Sequence, residues 1–313
     1  MSQSQIVADI RRAGAAPVLP HICVCICTYK RPTLLGTLLQ RLANQETANL
    51  FTYSVLVVDN DRDESARPVA SEYTALLPVA YIVQPLQSIP LTRNKAVAGS
   101  TGDFIAFIDD DEFPTPRWLI TLFTTCQQFN VDGVLGPVKP HFDQQPPEWV
   151  IRGRFYDRPS YPTGLVIDGR KGRTGNVLLK RSIFEGVDQP FRPEFRAGED
   201  QDFFRRMIEK GHVFIWCHEA VAFETVPPIR WNRRFMLRRA LHRGSTSVLH
   251  PTFRVRDIAK SLIAVPAYTL VLPIAWLCGE YLLMRYLISL CDHLGKLLAI
   301  LRLTPIRDQY VTE

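Results

Sequence analysis

Phe104-Ile105-Ala106-Phe107-Ile108-Asp109-Asp110-Asp111 sets five apolar residues directly against three consecutive carboxylates. A short apolar run rich in aromatic and β-branched residues reads as a buried strand. Acids crowded at its carboxyl end repel one another unless a cation or hydrogen bonds compensate them. Upstream the pattern recurs, with strand character in residues 22–27 (ICVCIC), 54–58 (SVLVV) and 79–83 (VAYIV). The intervening segments have helical spacing. The first opens at Pro32 with Leu34, Leu35, Leu38, Leu39 and Leu42 on one stripe, and the others are expected at 66–77, 91–98 and 116–128. Strand and helix alternating in this way predict a doubly wound, mostly parallel, Rossmann-like α/β sheet, whose ligands sit at the carboxyl ends of the strands.

Polar residues gather at those ends: Thr28-Tyr29-Lys30-Arg31 after the first strand, Asp59-Asn60-Asp61 after the second, and the acidic triplet after the fourth. Residues 136–175, rich in Pro, Gly, Tyr and Arg, read as a long irregular excursion over the sheet, a kind of segment that is usually functional. A further helix is expected from Gly198-Glu199-Asp200 to Lys210-Gly211.

With 313 residues, 46% hydrophobic and 22% charged, the chain can bury a sizeable core and is not a disordered protein. Cys23, Cys25 and Cys27 alternate along one strand and cannot pair with one another, which fits core packing in a reducing compartment. No Cys-x-x-Cys pairing supports a zinc site. Residues 1–20 form an N-terminal extension without the apolar run of a secretory signal, so the expected location is cytoplasmic.

The last third changes character. Arg230, Arg233, Arg234, Arg238, Arg239, Arg243, Arg254, Arg256 and Lys260 crowd a stretch whose only acid beyond 230 is Asp257, and residues 261–279 then carry no charge. That run has the length of a membrane span, although Pro266 and Pro273 interrupt it. Beyond Glu280 the pattern is amphipathic, like an interfacial helix. The expected organisation is therefore a domain over 21–245, a basic juxtamembrane segment over 246–260, apolar and amphipathic membrane-associated helices over 261–303, and a tail over 304–313. The arginines fit anionic lipid headgroups better than nucleic acid, because no nucleic-acid module surrounds them and the apolar run follows directly. A complete crossing would strand Arg285, Lys296, Arg302 and Arg307 on the far side, so a re-entrant or in-plane arrangement is favoured.

The acidic triplet is either a solvated turn or a site for Mg²⁺ or Mn²⁺, which take hard oxygen ligands. A dinucleotide fold would need Gly-x-Gly-x-x-Gly where Thr28-Tyr29-Lys30-Arg31-Pro32 stands. A haloacid-type phosphatase would need Asp-x-Asp-x-Thr near the start of the fold, whereas here the acids follow three βα units and Phe113 takes the Thr position.

Cys27-Thr28-Tyr29-Lys30-Arg31-Pro32, Val57-Val58-Asp59-Asn60, Arg93-Asn94, Asp109-Asp110-Asp111, Gly175-Asn176 and Gly198-Glu199-Asp200 occur in the order and spacing of the family 2 glycosyltransferases with the GT-A fold. The resemblance covers roughly residues 20–245. The tail resembles that of members building bacterial exopolysaccharides and other surface glycans at the cytoplasmic face of the inner membrane. The resemblance implies an inverting hexosyltransferase using a nucleotide-diphosphate sugar, usually UDP-linked, a divalent metal, and a lipid-linked or glycan acceptor. It assigns Thr28, Tyr29 and Arg31 to the nucleotide pocket, Asp59 to the base and Arg93 to the nucleotide side. Asp109 would face the ribose or donor sugar and share the metal with Asp111, and Asn176 would lie beside the sugar. Asp200 is the expected general base, with Glu199 beside it in the catalytic pair; acids at a helix start also favour the macrodipole as simple caps.

Two departures stand out. Many relatives place a His after the last sheet segment, where this chain has Glu224, a candidate metal neighbour or arginine partner. Processive relatives carry Gln-x-x-Arg-Trp and many spans, whereas this chain offers Arg238-Arg239-Ala240-Leu241-His242-Arg243-Gly244, which favours single-sugar addition. The alternatives from other classes are a catalytically silent nucleotide-sugar-binding scaffold and a metal-dependent phosphatase.

Overall fold

The computed structural model describes residues 18–195, 198–248 and 253–303. Most of the expected N-terminal extension and all of the 304–313 tail lie outside them. The strands are β1 (His21–Thr28), β2 (Thr52–Asp59), β3 (Val79–Val83), β4 (Phe104–Phe107), β5 (Glu112–Pro114), β6 (Gly133–Leu135), β7 (Val138–His141), β8 (Val177–Lys180), β9 (Phe214–Trp216) and β10 (Ala222–Thr225). The helices are α1 (Pro32–Leu42), α2 (Arg67–Glu72), α3 (Ile89–Gly99), α4 (Trp118–Phe129), α5 (Glu148–Gly153), α6 (Glu199–Glu209), α7 (Arg233–Ser247), α8 (Val255–Cys278) and α9 (Glu280–Ile300).

Seven strands form the main sheet in the order β3-β2-β1-β4-β8-β6-β9. β1, β2, β3 and β4 are parallel, β8 is antiparallel to β4 and β6, and β9 is parallel to β6. A smaller sheet, β5-β10-β7, sits at the carboxyl end of β4. Alternation along each strand divides the core between two faces. Val24 and Ile26 pack with Leu35, Leu38 and Trp118 on one side, while Cys25, Ile105 and Phe107 pack with Phe191, Phe203 and Met207 on the other. The doubly wound expectation is met with helices on both faces. All seven cysteines are free thiols.

Residues 136–175 are less irregular than expected, since they hold β7 and α5. Elements of four to six residues are too short to leave a readable period. The uncharged 261–279 run proves to be part of a longer helix: α8 begins at Val255, takes in Arg256, Asp257 and Lys260, and keeps both prolines in its interior. The boundary expected at 245 falls inside α7, which Asn232 caps by accepting from the N–H groups of Arg234 and Phe235.

Candidate active site

The carboxyl ends of β1 and β4 open onto a cavity of about 370 Å³. Lys30 adopts a left-handed conformation (φ 52°), which turns the chain sharply so that Arg31 reaches back over the acids before Pro32 starts α1. Thr28 Oγ1 donates to Asp110 Oδ2 at 2.8 Å, and Arg31 donates to Asp110 Oδ1 at 2.8 Å and to Asp111 Oδ2 at 3.4 Å. Burial pushes the Asp110 carboxyl up to about 6, against the pull of Arg31.

Arginines from distant segments complete the charge compensation. Arg230 donates to Asp111 Oδ2 and to Glu224 Oε1, both at 2.7 Å. Arg158 pairs with the other oxygen of Glu224 and lies 3.6 Å from Glu112. Glu112 is fully enclosed, and burial together with Asp109 holds its carboxyl well above the usual range. Arg93 lies 3.6 Å from Asp109 and pairs with Glu199. Arg239 reaches the same cavity from α7 and makes no ion pair among the described residues.

Cys27, Thr28, Tyr29, Arg31, Arg93, Asp109, Asp110 and Asp111 line the cavity together. Asp59 does not. Its side chain points into the protein, where it accepts from the Asp61 and Ala66 N–H groups at 2.9 Å and from the Tyr81 hydroxyl at 2.7 Å. Asn60, one residue on, borders the cavity, although its amide donates to the Gln84 and Leu86 carbonyls and its carbonyl accepts from the Ser88 N–H, so it shapes the wall through the 84–88 loop. Asn176 is likewise fully buried, at φ 60°. Its carbonyl accepts the Trp118 indole N–H at 2.7 Å, and its amide donates to the Pro137 and Ala220 carbonyls at 2.8 Å. Asn176 thus ties three segments together, with its polar atoms spent there rather than on the cavity. Its neighbour Gly175 presses against the acids, for a Cβ there would lie 2.8 Å from Glu112 Oε1 and 3.0 Å from Asp109 Oδ2.

Gly198, at φ 78°, turns the chain into α6. Glu199 is buried and its carboxylate is engaged by Arg93, while Asp200 is partly exposed and accepts from the Gln201 N–H at 2.7 Å. Glu199 therefore anchors the helix start, and Asp200 keeps the more accessible carboxylate. Among the described residues no group of three or more His, Cys, Asp or Glu side chains is arranged to hold a metal. Asp109 and Asp111 nevertheless supply two hard oxygen donors at the cavity, as many as Mg²⁺ takes from a protein when phosphate oxygens and water complete its shell.

Arg158 and Arg230 carry much of this compensation; Arg158 was not singled out from the sequence, and Arg230, grouped there with the lipid-facing arginines, is instead buried against Asp111 and Glu224. For Arg230 a signal existed: Arg230-Trp231 is the second half of a Gln-x-x-Arg-Trp pattern in which Pro227 replaces the Gln. Arg158 offers none, because it stands in an irregular stretch.

The glycosyl transferase family 2 model matches residues 23–185. The chain belongs to this family. This family 2 glycosyltransferase is 34% identical to the succinoglycan biosynthesis protein ExoM of Rhizobium meliloti over 231 residues, covering 72% of this chain and 74% of that protein. It is 26% identical to the putative glycosyltransferase EpsH of Bacillus subtilis, covering 59% of this chain and about half, 54%, of that one. Among solved structures it resembles S. aureus TarS 1–349 in complex with UDP, with a TM-score of 0.53 and 15% identity over 93% of this chain and 94% of that one. That likeness, together with the sheet order, places the glycosyltransferase in the GT-A fold.

Proposed function

We propose that the protein transfers a sugar, with inversion, from a nucleotide-diphosphate donor, UDP-linked, to a lipid-linked or glycan acceptor in cell-surface polysaccharide synthesis. The observation that carries this reading is the cavity at the end of β4, where Asp109, Asp110 and Asp111 meet Arg31, Arg93 and Arg230 while Asp200 stands at the nearby start of α6. ExoM's part in succinoglycan biosynthesis supports the acceptor class, and the TarS complexes with UDP and UDP-GlcNAc support the donor class.

In this mechanism Tyr29, Arg31 and Asn60 border the nucleotide side. Arg93 and Arg239 present cations to the diphosphate, a preorganised compensation for charge developing on the leaving group. Asp111 and Asp109 would hold a divalent cation, which when bound would neutralise the diphosphate as a Lewis acid. Asp200 takes the proton from the acceptor hydroxyl as it attacks the anomeric carbon, so no covalent intermediate forms. The apolar tail and its arginine fringe place the enzyme at an anionic membrane surface on the cytoplasmic face, where a lipid-linked acceptor is presented.

The test is a panel of nucleotide sugars screened for binding with and without Mg²⁺ or Mn²⁺, followed by product analysis with membrane lipid extracts. Transfer of one sugar with inverted anomeric configuration supports the reading. Binding without transfer favours a silent scaffold.

A further inference from the structure

α8 is the one helix among the described residues that is long and apolar enough to cross a membrane. The packing of α7, α8 and α9 constrains how it can do so. α9 runs beside α7 in the same direction. Arg233 pairs with Glu280 at one end, and Arg243 Nε donates to Asp292 Oδ1 at 2.8 Å towards the other. Between the two helices the backbones touch: a Cβ on Gly244 would lie 1.9 Å from the Asp292 carbonyl oxygen, and one on Gly295 2.1 Å from that of Leu241. α8 returns antiparallel along α9, with Ser261 Oγ 2.9 Å from His293 Nδ1 and the Tyr268 and Tyr286 rings 5.9 Å apart. A second tie holds the α8–α9 turn, where Arg285 donates to the Gly153 carbonyl at 3.1 Å and Arg152 stacks 4.6 Å from the Tyr281 ring centre.

α8 is therefore held along α9, and α9 is packed along α7 and tied to α5 near its own start, so the three helices move as one unit with the globular body. Standing it across a bilayer would draw α7 into the hydrocarbon, and α7 carries Arg233, Arg234, Arg238, Arg239 and Arg243 without one acid. Charged side chains are strongly disfavoured there. The outer face of α8 is apolar, and Leu262, Ile263, Leu270, Ile274 and Leu277 are each at least 60% exposed along one stripe. Pro266 and Pro273 donate no N–H to the carbonyls of Leu262 and Thr269, which leaves those two carbonyls for water or headgroups when the helix lies at the interface. Exposed Arg254, Arg256 and Lys260 fringe the start of the helix.

We propose that α8 is an in-plane membrane anchor: its outer face is pressed into the headgroup region of an anionic bilayer, and both of its ends stay on the side of the catalytic cavity. This rests on the membrane association proposed above and specifies its geometry.

The experiment uses the full chain and vesicles of phosphatidylcholine with and without phosphatidylglycerol. Nitroxides are placed at Ile263→Cys, Leu270→Cys and Leu277→Cys in a background where Cys27, Cys278 and Cys291 are serine, and their depths are read by spin-label accessibility. The expected result is flotation with the anionic vesicles, equal shallow depths at the three sites, and about a tenfold or greater loss of flotation in Leu270→Glu/Ile274→Glu with nucleotide-sugar binding unchanged. A 270 site ~10 Å or more deeper than the 263 and 277 sites indicates a crossing and overturns the in-plane geometry alone. Equal flotation with neutral vesicles removes the anionic requirement. No flotation with either vesicle overturns membrane association itself.

Discussion

Arg93 on α3 grips Glu199, the first residue of α6, and the same guanidinium lies 3.6 Å from Asp109 at the end of β4. One side chain thus fixes the helix that carries the proposed base relative to the strand that carries the acids. Both partners of the pair are mostly enclosed, with 11% and 7% of their side chains exposed. Removing either leaves the other as an uncompensated buried charge, at a cost of about 3–5 kcal/mol. Arg93→Gln and Glu199→Gln should each lower stability towards urea, and the double variant should lose clearly less than the two losses added. Strict additivity would mean that the pair is not coupled.

The same glutamate has a pH signature. Burial raises its carboxyl above the ordinary value, with Asp200 adding to the rise and Arg93 opposing it. The native state then holds the proton more tightly than the unfolded chain. The stability this contributes is complete below ~4.3 and is lost as pH rises through the raised value. Glu199→Gln should flatten that decline in a series of melting temperatures from about pH 4 to 7. A parallel decline in variant and wild type assigns the slope to another group.

Asp200→Asn keeps shape and capping ability but cannot accept a proton. Turnover should drop by ~10²- to 10⁴-fold while donor affinity and melting temperature stay near wild type. Glu199→Gln should act on stability first and on turnover less. If Asp200 merely caps α6, the Asn variant will turn over almost normally, since Asn caps about as well as Asp.

Asp111 sits between Arg230 and Arg31 and is the proposed holder of the cation. Asp111→Asn should weaken metal-stimulated donor binding and nearly abolish transfer. Binding titrations with Mn²⁺ and with EDTA measure this, and full activity in EDTA would sink the metal's role.

Gly244 and Gly295 let α7 and α9 meet backbone to backbone. Gly244→Ala drives a methyl into the Asp292 carbonyl and should cost ~1–3 kcal/mol or more, read as a lower melting temperature. Because α9 covers the buried Met236 and Ala240 side of α7, cutting the chain after Lys260 would damage the catalytic body as well as the anchor. Substitutions on the outer face of α8 separate the two effects.

Local pattern carried the sequence reading far. Period-two and period-3.6 apolar spacing gave β1 to β4, α1 and α6 to within a few residues, because an element that buries a face must show that face in its own sequence. Short elements left no such record: β8, only four residues long and antiparallel to its neighbours, was not anticipated. The polar residues after β1 and β4 were legible as the cavity wall for the same topological reason, since chain turns at strand ends must carry them.

Direction within that wall was not legible. Asp59 and Asn60 are adjacent and both polar, and only packing against Tyr81 and Ala66 turned the first inward and left the second at the cavity.

By itself the sequence determined the doubly wound sheet, the acids at the end of β4, the helix that starts at Glu199 and the apolar tail, all properties written within a few consecutive residues. Tertiary structure alone decided which cations answer those acids, because Arg230 reaches Asp111 across 119 positions and Arg158 reaches Glu224 across 66. It also decided that Asn176 is spent on holding three segments together, and that α8 lies along the body rather than leading away from it. Such pairings depend on how helices and strands pack in space, and side-chain reach over distances of that order in sequence has no period to read.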